Sequence, residues 1–131
     1  YAAFLSMLQQ GGSYGGVRNL TPATLRLLEA DRVGDLPRED LPAEADPAWG
    51  YALGAWCERR GADGGCASLS SPGALGAYPW LDREREVAGI LLTVDALPRV
   101  MAWQRATRQL AERIYGRAIL TSDARNPTRG G

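Results

Sequence analysis

The chain has 131 residues, 45% of them apolar and 23% charged, which is enough for one small domain with a modest core. Its formal net charge is zero, so it carries no electrostatic footprint for a nucleic acid or an anionic membrane. No apolar run approaches the roughly 20 residues that span a bilayer, so no membrane span is expected. Every basic residue is arginine; lysine and histidine are absent. Within these residues that excludes a Ser-His-Asp triad, a Cys-His pair and a histidine-ligated zinc. It also excludes a Schiff-base lysine and a phosphate-loop lysine. Two cysteines do not make a tetrahedral thiolate site, so neither metal nor cofactor is expected.

Tyr1 to Gln10 reads as a helix, with Phe4, Leu5 and Leu8 on one face and Gly11-Gly12 as its stop. An apolar helical pattern that begins at Tyr1 predicts a fragment of a longer protein. Gly15-Gly16 is a turn, and Val17 to Leu20 a short link. Thr21 is placed as an N-cap with Pro22 at the first helical position; Leu25 and Leu28 supply the buried stripe. That helix is expected to fade near Asp31 to Gly34. Asp35 to Pro47, punctuated by Pro37, Pro42 and Pro47, reads as an exposed connecting loop.

Trp49 to Arg60 reads as one strand covered on both sides, with Trp49, Tyr51, Leu53, Ala55 and Cys57 on a shared face. Gly61 to Gly65 turns the chain, Cys66 to Leu69 begins the returning strand, and a further strand runs from about Ala77 to Leu81. Asp82 to Glu86 reads as a solvated, charged hairpin tip. Val87 to Val94 is a near-continuous apolar run, expected as a buried central strand. Asp95 is expected to cap the last helix, with Pro98 in its first turn. Val100, Trp103, Leu110 and Ile114 predict the face that this helix lays on the sheet; core packing, not ligand stacking, is the expected role of Trp103. Gly116 breaks the helix, residues 1–116 form the domain, and 117–131 read as a disordered tail. The fold class is α+β, an antiparallel sheet packed with N- and C-terminal helices.

The stretch Tyr51-Ala-Leu-Gly-Ala-Trp56, followed by Ser70-Ser-Pro-Gly-Ala-Leu-Gly-Ala-Tyr-Pro-Trp-Leu-Asp-Arg-Glu-Arg85 and an apolar strand, resembles the β-lactamase-related serine hydrolases, the penicillin-binding-protein and esterase-like group. Members show a Tyr-x-Leu-Gly-x-Trp strand, a Gly-rich active-site strand and a turn like Trp-Ile-Asp-Pro-Glu-Arg. Tyr1 to Gly12 and Val17 to Thr24 resemble the helix pair that precedes these elements. The resemblance covers roughly residues 1 to 115, and its order and spacing carry it.

The resemblance implies the C-terminal part of a β-lactamase/transpeptidase-like fold, and acyl transfer as its chemistry. A serine in Ser-x-x-Lys attacks an ester, amide or peptide-type carbonyl, aided by a Tyr-x-Asn-type motif and by a third motif on the sheet. Only the third falls here, at Ser71-Pro72-Gly73. The N–H of Ala74 is then the oxyanion donor, such donors being worth about 2.7–4 kcal/mol each; Ser71 is the other implied catalytic residue, and Ser70, Pro72 and Gly73 bind the substrate. Ser71 stands where lysine or histidine is usual, and Pro72 where threonine or serine is. That departure favours ester or peptide-type hydrolysis over β-lactam hydrolysis. Ser-x-x-Lys and Tyr-x-Asn would lie in the N-terminal remainder of the same domain, so the chain alone is expected to be inactive. A small-molecule or peptide-like substrate is the implied partner, and the periplasm or cell exterior the implied location. The contrasting reading is a non-catalytic binding or cell-wall-interaction module derived from that fold.

Cys57 and Cys66 flank a turn whose type decides their relation. A II′ turn at Gly61-Ala62 sets them opposite each other and permits a disulfide; a I′ turn at Asp63-Gly64 sets Cys57 against Ser70. Asp-Gly is the stronger turn signal, whereas paired cysteines in a secreted-type family favour the bridge.

Overall fold

The computed structural model describes residues 1–37 and 45–117 of the chain. Helix α1 spans Ala2–Gln9 and ends where Gly11 and Gly12 take positive φ. In place of the expected link, Ser13–Tyr14 (β1) and Val17–Arg18 (β2) pair as a minimal hairpin around Gly15-Gly16. Helix α2, Pro22–Glu29, starts as its sequence directs: the Thr21 hydroxyl accepts the Thr24 N–H at 3.1 Å. It ends before the expected fade at Asp31 to Gly34. The connecting loop falls partly outside the described residues, as does the tail beyond Arg117.

Five antiparallel strands follow in sequential order, Gly50–Tyr51 (β3), Trp56–Arg60 (β4), Cys66–Ser70 (β5), Ala77–Asp82 (β6) and Val87–Leu92 (β7). The single strand expected over Trp49 to Arg60 is therefore two. Ala52 N–H bonds to Ala55 O at 2.8 Å, Gly54 sits at φ +85°, and Tyr51 pairs with Trp56 across the turn. Leu53-Gly54 is a turn signal that the apolar alternation hid. Strand β7 is also displaced from expectation: it ends the sheet order among the described residues, and Leu92 is exposed.

Alternation sorts the sheet into two faces. Cys57, Leu69 and Leu81 join Met7 and Leu8 of α1 and Leu25 of α2 in one cluster. The residues between them, Glu58, Ser68, Ser70, Tyr78 and Asp82, lie on the opposite face, where helix α3 (Leu97–Tyr115) packs. A smaller apolar cluster of Trp49, Leu97 and Met101 sits on that side.

Helix α3 is rotated relative to the sequence-based expectation. It buries Leu97, Met101, Gln104 and Arg108, while Trp103, Leu110 and Ile114 are 55%, 49% and 61% exposed. The cause is polar: Glu58, Ser68 and Tyr78 need charged or hydrogen-bonding partners once buried, and Arg108 on this face bonds all three. Asp95 does not cap this helix either; Ala96 is the N-cap, and the Asp95 carboxylate accepts the Ala96 N–H just outside it.

The Asp82 to Glu86 tip is not wholly solvated. Asp82 is 1% exposed and accepts hydrogen bonds from Arg59, Arg85 and the Arg85 N–H. Cys57 and Cys66 form a disulfide with Cα atoms 5.4 Å apart. Neither expected register holds throughout. Cys57 faces Leu69 and Arg60 faces Cys66, with register shifts between, so the bridge spans irregular pairing.

Candidate active site

Backbone bonding continues past the end of β5 at Ser70. Ser71 N–H bonds to Pro79 O at 3.1 Å and Gly73 N–H to Ala77 O at 2.7 Å, carrying the β6 pairing onward to a tight tip. The tip is Gly73-Ala74-Leu75-Gly76, closed by Gly76 N–H to Gly73 O at 2.9 Å. Gly76 takes φ +94°, and a Cβ there would lie 2.3 Å from Thr93 Oγ1, so the turn requires glycine.

The carbonyls of the tip are tied to the chain leading into α3. Ala74 O accepts Leu97 N–H at 3.0 Å, Leu75 O accepts Asp95 N–H at 3.4 Å, and Gly76 O accepts the Thr93 hydroxyl at 2.7 Å. The Ala74 N–H has no hydrogen bond within the described residues. In a trans peptide the N–H points opposite to its C=O. With Gly73 O turned inward, the Ala74 N–H points out of the turn toward solvent, and Ala74 is exposed.

Ser70 and Ser71 border an apolar groove of about 80 Å³ beside Phe4, Leu8, Leu53 and Leu69. Ser70 behaves differently from Ser71. It is 2% exposed and its hydroxyl donates to Glu58 Oε1, so its side chain is committed to the α3 face. Pro72 and Gly73 are half-buried at the hairpin shoulder. A Cβ on Gly73 would meet only Ala77, at an ordinary 3.5 Å, so packing within the chain does not demand glycine there.

Behind the hairpin lies a buried polar layer that sequence reasoning missed. Arg108 donates to Glu58 at 2.5 Å, Ser68 at 2.6 Å, Glu112 at 2.7 Å and the Tyr78 hydroxyl at 3.0 Å. Its guanidinium also lies over the Tyr78 and Trp80 rings. Burial disfavours the charged form of Arg108, but Glu58 and the other acceptors outweigh it and hold its pKa above the ordinary value. Burial and the Glu58 charge push the Tyr78 hydroxyl up, so it stays protonated and can donate. Burial would raise the Asp82 carboxyl, yet the Arg85 N–H and Arg59 hold it below its usual range. The available signal was spacing: Leu97, Met101, Gln104 and Arg108 form a helical stripe in their own right, two of its members polar.

No group of three His, Cys, Asp or Glu side chains among the described residues is placed to hold a metal ion, and no described helix is long and apolar enough to cross a membrane.

No protein-family model matches the chain, and no curated protein matches it. Among solved structures, it is similar to the crystal structure of a "putative beta-lactamase" from Bacteroides dorei DSM 17855, at 29% identity and a TM-score of 0.58. The match covers 70% of this chain and 29% of that one, so the chain corresponds to under a third of the neighbour's length. Helices, antiparallel meander and neighbour agree at the level of architecture: the fold is α+β and β-lactamase-like.

Proposed function

We propose that this chain is the C-terminal part of a β-lactamase-like domain and forms the oxyanion side of a serine hydrolase site that acts through an acyl-enzyme. The observation that carries the reading is the outward, unbonded Ala74 N–H on a turn whose carbonyls are all hydrogen-bonded, Gly73 O across the turn and the other three to the chain leading into α3. Preorganised donors of this kind stabilise the charge that develops on a carbonyl oxygen during acyl transfer, and they need no reorganisation as the reaction proceeds. Gly73 adds support, since a residue without a side chain beside the donor lets a reacting group approach the backbone. The similarity to a solved "putative beta-lactamase" structure supports the reading at the level of the fold.

In this reading Ser71, at the groove, touches the substrate, while Ser70 acts through its backbone and not its hydroxyl. The nucleophile comes from a Ser-x-x-Lys helix in the N-terminal remainder of the domain, so the 131-residue chain is inactive alone. The substrate is an ester, amide or peptide-type compound. Because Ser71 supplies no cation for a substrate carboxylate, an uncharged ester suits the site better than a β-lactam. The disulfide fits a periplasmic or secreted protein.

One observation favours a second reading, a non-catalytic binding or cell-wall-interaction module. Ser71-Pro72 replaces the polar or cationic pair of the resembled motif. The test is to express the frame extended upstream, treat it with a fluorophosphonate and a labelled penicillin, and map the adduct by mass spectrometry. A label on an upstream Ser-x-x-Lys serine, absent from the isolated chain, is expected. An upstream frame without that motif, or an intact protein that never labels, moves the assignment to the module.

A further inference from the structure

We infer that Gln104 is a positioning residue that sets the direction of the Ala74 N–H from the far side of the hairpin; this rests on reading that N–H as the oxyanion donor. Gln104 is 0% exposed. Its side-chain amide donates to Gly76 O at 2.6 Å and to Thr93 Oγ1 at 3.0 Å. Gly76 O therefore gathers the Gln104 amide, the Thr93 hydroxyl and, at 3.3 Å, the Thr93 N–H. Gly76 N–H in turn holds Gly73 O, and Gly73 O shares a trans peptide with the Ala74 N–H. The chain of constraint thus runs from Gln104 through Gly76 and Gly73 to the donor.

Packing alone does not account for glutamine here. Its Oε1 is buried without a hydrogen-bond partner among the described residues. Such an acceptor costs free energy, and a leucine or methionine of similar volume would avoid the cost. What glutamine adds is the donor to Gly76 O. The amide orientation follows from its partners, since a carbonyl can only accept.

The test uses amide hydrogen exchange on the ¹⁵N-labelled 131-residue chain carrying Gln104→Met. Exchange at Gly73 and Gly76 should rise at least about tenfold, while the sheet amides of Leu69 and Leu81 stay within about threefold of the unsubstituted chain. A parallel rise at Leu81 means general loss of stability and overturns the inference, as does no change at Gly76. If Gln104→Met does not fold, Thr93→Val, which removes one donor from the same carbonyl at constant shape, applies the same criterion. In the upstream-extended protein, Gln104→Met should lower kcat with KM little changed, because an oxyanion donor acts only in the transition state. Loosened exchange with an unaltered kcat overturns the positioning role. Failure of the unsubstituted protein to turn over or label would instead remove the hydrolase reading and leave the exchange result standing.

Discussion

Arg108→Met probes the buried polar layer most sharply. Methionine retains much of the arginine stem and its contact with Tyr78 and Trp80, so the change is chiefly the loss of charge and donors. Arg108 is 8% exposed in its side chain, and its ion-pair partners Glu58 and Glu112 are each 11% exposed. Removing one member of a buried pair strands the other, and such losses run to about 3–5 kcal/mol. The Ser68 and Tyr78 hydroxyls lose a partner in the same step. Adding Glu58→Gln removes one stranded charge, so the double variant should recover part of the loss, with a coupling of about 1–3 kcal/mol. Urea unfolding at pH 7, followed by tryptophan fluorescence, reads both quantities, and the m-value should not change. A loss below about 1 kcal/mol for Arg108→Met, or additivity within about 0.5 kcal/mol, would refute the argument.

Three further outcomes are expected. Burial opposes ionisation of Asp31, but Arg60 and the N–H groups of Val33, Tyr51 and Gly34 outweigh it and hold the carboxyl at about 2 instead of 3.8. That stabilisation, about 2 kcal/mol, is fully present above pH 4 and is lost as pH falls through 2; Asp31→Asn should remove it at neutral pH and match the parent near pH 2, read from urea midpoints. Replacing Cys57 and Cys66 by alanine opens a loop with a sequence separation of 9. The loss should be about 2–3 kcal/mol by denaturation, matched by reduction of the parent. Gly89→Ala would set a Cβ 2.4 Å from the Trp80 ring; overpacking there should cost about 1–3 kcal/mol and shift the Trp80 emission.

Local chemistry was the legible part of this sequence. Thr21-Pro22 marked the start of α2, Gly11-Gly12 the end of α1, and the Gly61 to Gly65 turn the start of β5, because each depends on residues within one turn. The Gly73 to Gly76 tip with its bound carbonyls was not legible, because its partners at Thr93, Asp95 and Leu97 lie further along the chain. What depended on a distant partner was hidden. Leu53-Gly54 reads as strand interior by alternation, and only the pairing of Tyr51 with Trp56 makes it a turn. The Trp103, Leu110 and Ile114 stripe gave the wrong face of α3, since rotation was decided by Glu58 and Tyr78, which lie 50 and 30 residues from Arg108. Ser70 illustrates the same limit: its neighbour Ser71 lines the groove, but alternation turns the Ser70 hydroxyl to Glu58 on the other face.

The most direct test of the central claim is a crystal structure of the upstream-extended protein after phosphonylation. The phosphonyl oxygen should lie about 2.7–3.1 Å from the Ala74 nitrogen, in line with its outward N–H. An adduct whose oxygen is held by other donors, with the Ala74 N–H turned away or bonded elsewhere, would contradict the account.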